Sequence, residues 1–290
     1  MQRTLFVIFL IVTIMSVAIS QTNENNEVKS KNKTTIKIGT TRWEGQDRPF
    51  KFVSEKNKSS KQVPMPDSLS KARIDFDSRS FDFGYCVPGN FRLVHTYEIR
   101  NIGEDTLVIK GVRPTCGCTA APLEKRILAP GERTKLTAYF RTRGYRHRTR
   151  KSIRVMSNDP TRRLASLTFT TNFDTADWFN KEKGIRVVPD PLYLDFGKGN
   201  DFKTKLTVKI KNLSDKNLKL EVVDYTDKVF EKPVLKSKKL KKKKSTKLTV
   251  QLVPNYDMNM PIQASITIAA YDSNNKEVIR FTIPAVGGGR

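Results

Sequence analysis

The chain has 290 residues, enough for two ordinary domains, and carries a formal net charge of +25. After residue 20 no segment is long and apolar enough to span a membrane, which argues against an integral membrane protein. Its three cysteines, an odd number, allow at most one internal disulfide.

Residues 1–20 are predicted to be a secretory signal peptide. Arg3 supplies a positive start, residues 5–17 form an apolar run, and Ala18 and Ser20 are small residues before a cut after position 20. The run is shorter than the roughly 20 residues of a membrane anchor, and no lipoprotein cysteine follows it. We therefore expect an exported protein, periplasmic or extracellular, in a compartment that permits disulfides.

Residues 21–73 are polar and rich in Lys, Ser and Asn, so we expect them to be largely disordered. Within them, residues 36–53 hold a few apolar side chains that could form an adhering hairpin or a weakly ordered tail. Residues 54–72 are expected to be a linker.

From residue 74 the pattern is all-β. Leu93, Tyr97 and Ile99 share one strand face, and turn sequences at 101–105, 129–132 and 158–160 separate further alternating segments. Seven short strands at such spacing predict an immunoglobulin-like β-sandwich over 74–175. Residues 101–105 are interpreted as a hairpin turn, so that 107–112 returns antiparallel to 91–99.

The same order returns in a second unit, 185–290, after a linker at 176–184. Asp82-Phe83-Gly84 is repeated as Asp195-Phe196-Gly197, 113 positions later, and Asn101 is matched by Asn212, 111 positions later. The fold class is thus all-β, with two tandem immunoglobulin-like sandwiches. The second sandwich lacks cysteines.

The motifs of the first unit resemble those of a known family. They are Phe-Asp-Phe-Gly at 81–84, Cys-Gly-Cys-Thr at 116–119, Pro-Gly-Glu at 130–132 and Ser-Asn-Asp at 157–159. The segment from about 75 to 172 is similar to the bacterial domain of unknown function 1573, an immunoglobulin-like sandwich related to Hydin-type and major-sperm-protein-type domains. The resemblance implies an exported, non-catalytic module.

The cysteines form the first candidate site. If 101–105 closes a hairpin, Cys116 and Cys118 lie opposite residues 90 and 88, and Cys86 falls beside them. Three interpretations stay open: a structural disulfide from Cys86 to Cys116 or Cys118, a redox-active Cys116/Cys118 pair in a small ring, and a site for Cu(I) or Zn(II). A fourth zinc ligand is not evident.

Basic residues form the second candidate site, for a polyanion. The cations of one predicted hairpin tip are Arg141, Arg143, Arg146, Arg148, Arg150 and Lys151. A second run, with eight lysines between 236 and 247, is centred on Lys241, Lys242, Lys243 and Lys244. Solvated loop surface is the alternative for both.

Catalysis is not expected. His95 is interpreted as a packed core histidine, too far from the cysteines for a nucleophilic pair, and the Asp-Phe-Gly triplets as strand-end turns without the other kinase motifs. We expect no cofactor, no nucleic-acid partner and no transmembrane anchor. The favoured function is binding another envelope protein; the alternatives are thiol-redox or soft-metal chemistry, and binding of acidic polysaccharide or lipid phosphate.

Overall fold

The computed structural model describes residues 69–174 and 184–289 together with the backbone of 179–180. The predicted signal peptide, the polar segment up to residue 68 and most of the linker lie outside the described residues. Among those described, no helix has the length and apolarity needed to cross a membrane.

The first sandwich contains nine strands in two facing layers. One layer has the order β1-β3-β7-β5 and the other β2-β9-β8-β4-β6. Their bounds are β1 Ile74–Phe76, β2 Ser80–Cys86, β3 Arg92–Asn101, β4 Leu107–Pro114, β5 Thr119–Ala120, β6 Ile127–Leu128, β7 Arg133–Arg141, β8 Thr149–Ser157 and β9 Leu164–Asn172.

The second sandwich repeats this arrangement. Its layers have the orders β10-β11-β13-β17-β15 and β19-β18-β14-β16, with β12 pairing parallel to β19 as β2 pairs parallel to β9. Their bounds are β10 Phe179–Asn180, β11 Ile185–Asp190, β12 Leu194–Asp195, β13 Lys205–Asn212, β14 Leu218–Tyr225, β15 Val234–Leu235, β16 Lys239–Leu240, β17 Ser245–Gln251, β18 Ala264–Tyr271 and β19 Glu277–Val286. The predicted all-β class with two sandwiches is confirmed.

The repeated motifs perform the same local task in both sandwiches. Asp82 Oδ1 accepts a hydrogen bond from Gly84 N at 2.9 Å, and Asp195 Oδ1 accepts one from Gly197 N at the same distance. Both glycines have positive φ, +67° and +74°, which favours glycine there. Asp195-Phe196-Gly197 is a strand-end turn, as predicted, because β12 ends at Asp195. The strand-end interpretation of Asp82-Phe83-Gly84 is wrong, because this triplet lies within β2, where the pairing with β9 shifts register between Asp82 and Tyr85.

The repeated asparagines, Asn101 and Asn212, are buried and hydrogen-bond to backbone groups of both layers. Asn101 Nδ2 donates to the carbonyls of Asp105 and Leu128, and its Oδ1 accepts from Gly103 N. Asn212 makes the equivalent bonds with a loop of the second sandwich and with the carbonyl of Leu240. A buried amide with this many partners costs little to desolvate and ties two layers together.

The hairpin interpretation of 101–105 is wrong. β3 pairs with β1 and β7, whereas β4 pairs with β6 and β8, so the turn carries the chain from one layer to the other. The Asn101 side chain holds that crossing, because it bonds both the turn and β6 on the far layer.

One sheet is continuous across both sandwiches. β19 pairs parallel with β2, in register at Phe281↔Tyr85 and Thr282↔Cys86, giving the ten-stranded long sheet β16-β14-β18-β19-β2-β9-β8-β4-β6 with β12 attached. Thr282 Oγ1 also donates to the carbonyl of Phe83 at 2.6 Å. We name this β2–β19 pairing the seam. Each sandwich keeps its own apolar core beside it.

Candidate functional site

Cys116 and Cys118 are bonded to each other in the loop between β4 and β5. Both are partly exposed, and the Oγ1 of Thr119 lies 3.4 Å from the Cys116 sulfur and 3.8 Å from the Cys118 sulfur. Cys118 packs against the core of the first sandwich. The carbonyl of Cys118 accepts from Arg141 N at 2.8 Å, which fixes the loop to the end of β7.

Cys86 is a free, fully buried thiol at the end of β2. Burial raises the pKa of this thiol strongly, because a thiolate there would have no water around it. The predicted bridge from Cys86 to Cys116 or Cys118 is therefore wrong. The grouping of the three sulfurs depended on a β3–β4 hairpin, and these strands lie in different layers.

The Cys116 and Cys118 sulfurs are bonded to each other, so they do not offer the thiolates that a soft-metal site needs. Elsewhere in 69–174 and 184–289, no three His, Cys, Asp or Glu side chains are grouped to hold an ion.

An apolar cleft of about 500 Å³ lies where the two sandwiches meet. β5 and β7 of the first sandwich form one wall, with Ala120, Leu123 and Tyr139. The other wall is the segment that follows β17, with Tyr256 and Met260. The disulfide loop leads directly into the wall formed by β5 and β7, because Ala120 is two positions after Cys118.

Ionic groups stand around the cleft. Lys228 Nζ lies 2.5 Å from Glu124 Oε1 and joins the two walls, although both side chains are largely exposed. Burial lowers the pKa of the Arg92 guanidinium, and repulsion from Arg141, directly opposite on β7, lowers it further.

Buried polar contacts hold the walls at a fixed separation. Ser265 Oγ accepts from Val94 N at 2.9 Å and donates to the carbonyl of the same residue. His95 Nδ1 lies 2.8 Å from Asp224 Oδ2, and its ring stacks on Phe81 with centroids 3.7 Å apart. His95 is thus a packed histidine, and its partner belongs to the second sandwich.

The two basic stretches lie at opposite ends of equivalent strands. The first runs from Arg141, the last residue of β7, to Lys151 in β8, and the second runs from Lys236, after β15, to Lys247 in β17, the strand that matches β7. The predicted hairpin tip is wrong, because β7 and β8 belong to different layers. Lys243 is used locally, since its Nζ donates to the carbonyl of Leu213 and lies 3.3 Å from Asp215. In the first stretch the exposed cations are Arg143, Arg146, Arg148 and Arg150, whereas Arg141 and Lys151 are half-buried.

Sequence reasoning did not find the cleft. One signal was available: Tyr256, Met258 and Met260 are apolar residues in a segment otherwise typical of a loop, and Met258 is 57% exposed. Apolar side chains on an exposed loop indicate a contact surface more often than a core.

Fold and site together define a two-sandwich immunoglobulin-like protein with a disulfide loop beside an apolar cleft. Residues 74–173 match the family model described as a protein of unknown function, DUF1573. The predicted resemblance of 75–172 to this family is confirmed. No curated protein sequence matches the chain.

Solved structures with similar folds are distant. A protein of unknown function from Porphyromonas gingivalis W83 has 16% identity and a TM-score of 0.27, covering 73% of this chain and 99% of that one. The YadV chaperone has 8% identity and a TM-score of 0.28, covering 73% and 98%. The VesB protease of Vibrio cholerae has 10% identity and a TM-score of 0.28 over 35% of this chain and 32% of that one, so the similarity spans about a third of that protease.

Proposed function

We propose that the protein is an exported, non-catalytic binding protein of the bacterial cell envelope, and that the cleft receives apolar side chains of a partner protein. The observation that carries this proposal is the apolar cleft itself, lined by residues of both sandwiches. Concave apolar surface with a few polar groups is the usual form of a binding site. Export rests on the character of residues 1–20.

The cleft is a better candidate than the sheet edges. Of the outermost strands that the structure describes, β1 has three residues and the others, β5, β6, β10, β15 and β16, have two each. Very short edge strands are a common way to prevent pairing with another chain. A partner strand would therefore find little backbone to extend, whereas the cleft offers side-chain contact.

A photo-crosslinking experiment tests the proposal. A photoreactive phenylalanine derivative replaces Met260, which is 37% exposed at the cleft, and in a matched control it replaces Leu164, which is 57% exposed at the start of β9. We expect a discrete protein adduct in envelope preparations from Met260 alone, and its loss when Val229 in the cleft is changed to Asp. The same adducts from both positions, or none from Met260, would contradict the proposal.

A second candidate function, thiol–disulfide exchange, is favoured by one observation: the bonded cysteines are separated by a single residue and partly exposed. Such a small ring is under strain, which makes a disulfide easier to reduce. A partner thiolate would attack the Cys116 sulfur, the bond to Cys118 would break, and Cys118 would leave as a thiolate that takes a proton from water. A second thiolate of the same partner would then release Cys116, so the partner dithiol is oxidised and the pair reduced.

Redox equilibration of the native protein with dithiothreitol tests this candidate, with Cys86→Ser as background so that the remaining thiols belong to the pair. We expect reduction without denaturant. In the additional variant Cys118→Ser, the Cys116 thiolate should attack added oxidised glutathione, forming a mixed disulfide with one glutathione and releasing the other as a thiol. If reduction proceeds only after unfolding, the disulfide is structural and this function is excluded.

A further inference from the structure

An exposed arginine cluster lies on the outer surface of the long sheet, within the first sandwich. Arg113 on β4 and Arg150 and Arg154 on β8 all point away from the core and are exposed. Arg150 belongs to the basic stretch noted in the sequence, but Arg113 and Arg154 lie outside it. We call this surface, over β4, β8 and β9, the arginine face.

Two of these arginines are directly opposite each other in the antiparallel pair of β4 and β8, in register Arg113↔Arg154. Like charges at such positions, with Cβ atoms about 5 Å apart, destabilise a sheet. In the part of the chain that the structure describes, neither guanidinium has a hydrogen bond or an ion pair with an acidic side chain. A surface that keeps this repulsion is suited to an anion that would relieve it.

The outer surface of the same sheet is different in the second sandwich. There Lys219 lies 2.8 Å from Glu221, and Arg280 lies 2.6 Å from Glu277 in a two-point contact. Two cations on this outer surface, Lys219 and Arg280, thus have acidic partners. On the arginine face, Arg113 and Arg154 face each other instead.

Small hydroxyl side chains form the floor between the arginines. Ser166 lies opposite Arg154, and Ser152 lies opposite Thr168, which in turn lies opposite Ser80 on β2. Asp82, two positions after Ser80 on β2, is already held by Thr170 Oγ1 at 2.8 Å and by the backbone N–H of Gly84. The face is therefore hydroxylated and positive.

We propose that the arginine face binds an anionic polysaccharide. Arg150 and Arg154 are four residues apart on one strand, so their side chains rise about 13 Å apart. Guanidinium groups bind sulfate or carboxylate groups through paired hydrogen bonds, and the serine and threonine hydroxyls between them can bond sugar hydroxyls. Met156 and Leu164, opposite each other at one end of the face, offer apolar contact to a sugar ring. This inference does not depend on the cleft.

Heparin of defined length is the probe, with affinity measured by calorimetry at about 0.15 M salt, where weak surface attraction is largely screened. The test variant is Arg113→Ser/Arg154→Ser. We expect it to bind at least about tenfold more weakly, because each arginine contributes charge-assisted hydrogen bonds. The matched control Lys241→Ser/Lys242→Ser removes the same charge from the second sandwich and should bind nearly as well as wild type.

Folding is checked by thermal unfolding: the arginine variant should unfold at the wild-type temperature or above it, since a repulsive pair is removed. A third variant, Arg113→Lys/Arg154→Lys, keeps the charge and should fall between wild type and the serine variant. Equal weakening in the arginine and lysine→serine variants, or no heparin binding by wild type, would overturn the proposal. Binding to phosphatidylglycerol vesicles that requires the arginines, without heparin binding, would overturn it in favour of lipid.

Discussion

Replacing Gly84 by alanine tests the seam. Gly84 has φ +67°, and a Cβ added there would lie 2.0 Å from the backbone oxygen of Arg280 on β19. The left-handed conformation costs an alanine about 1–2 kcal/mol, and the overlap with a backbone atom adds about 1–3 kcal/mol, as for other overpacked sites. We therefore expect Gly84→Ala to lower the free energy of unfolding by about 2–5 kcal/mol.

Gly131→Ala is the matched control, because Gly131 has φ +77° but no atom within 4 Å of an added Cβ. It should cost only the conformational term, about 1–2 kcal/mol. The assay is thermal unfolding, in which 1 kcal/mol corresponds to about 2–4 °C for a chain of this size, together with hydrogen exchange of the β19 amides. If the two variants are equally stable, close approach at Gly84 does not hold the sandwiches together.

Three further predictions follow from single groups. The native protein should show no reactive thiol, and the denatured protein should show one, that of Cys86. If the Cys116–Cys118 disulfide is reduced before denaturation, the denatured protein should show three. A reactive thiol in the untreated native protein would contradict this assignment of the cysteines. Asp159 is buried, which by itself would raise its pKa, but hydrogen bonds from backbone N–H groups and a threonine hydroxyl outweigh burial and lower the pKa. The stabilisation from this carboxylate should be present above the unfolded-state pKa and be lost as pH falls through the folded-state pKa. Asp159→Asn should therefore flatten the acid side of a curve of stability against pH, and an unchanged curve would refute this. Asp224→Asn should weaken the contact with His95 and destabilise by about 1–3 kcal/mol in urea unfolding, whereas a neutral result would show that the pair contributes nothing to the junction.

The sequence predicted the repeat correctly because the repeated residues make hydrogen bonds with groups only two to four positions away. Asp82 and Asp195 close the same turn, and Asn101 and Asn212 make the same buried bonds, so equal spacing implied equal structure. Side-chain alternation located β3, β7, β8 and β9 for the same reason.

The pairing of consecutive strands was not determined locally. A five-residue turn at 101–105 suits a hairpin as well as a crossing between layers, and what selects the crossing is a bond from Asn101 to Leu128, 27 positions away. The predicted bridge from Cys86 was also wrong, since Cys86 is free and Cys116 is bonded to Cys118. The position of the cleft could not be predicted, because its walls are positioned by the seam, where Thr282 contacts Phe83 across 199 positions.

Because of the seam, the long sheet can be completed only after β19 has been synthesised. β2 is made early in synthesis, but the strand that covers its open side, β19, is the last strand described. Until β19 arrives, a folded first sandwich exposes an unpaired edge, which is a template for association with other chains. A shortened product that ends before Glu277 should accordingly be prone to aggregate even though every residue of its first core is present.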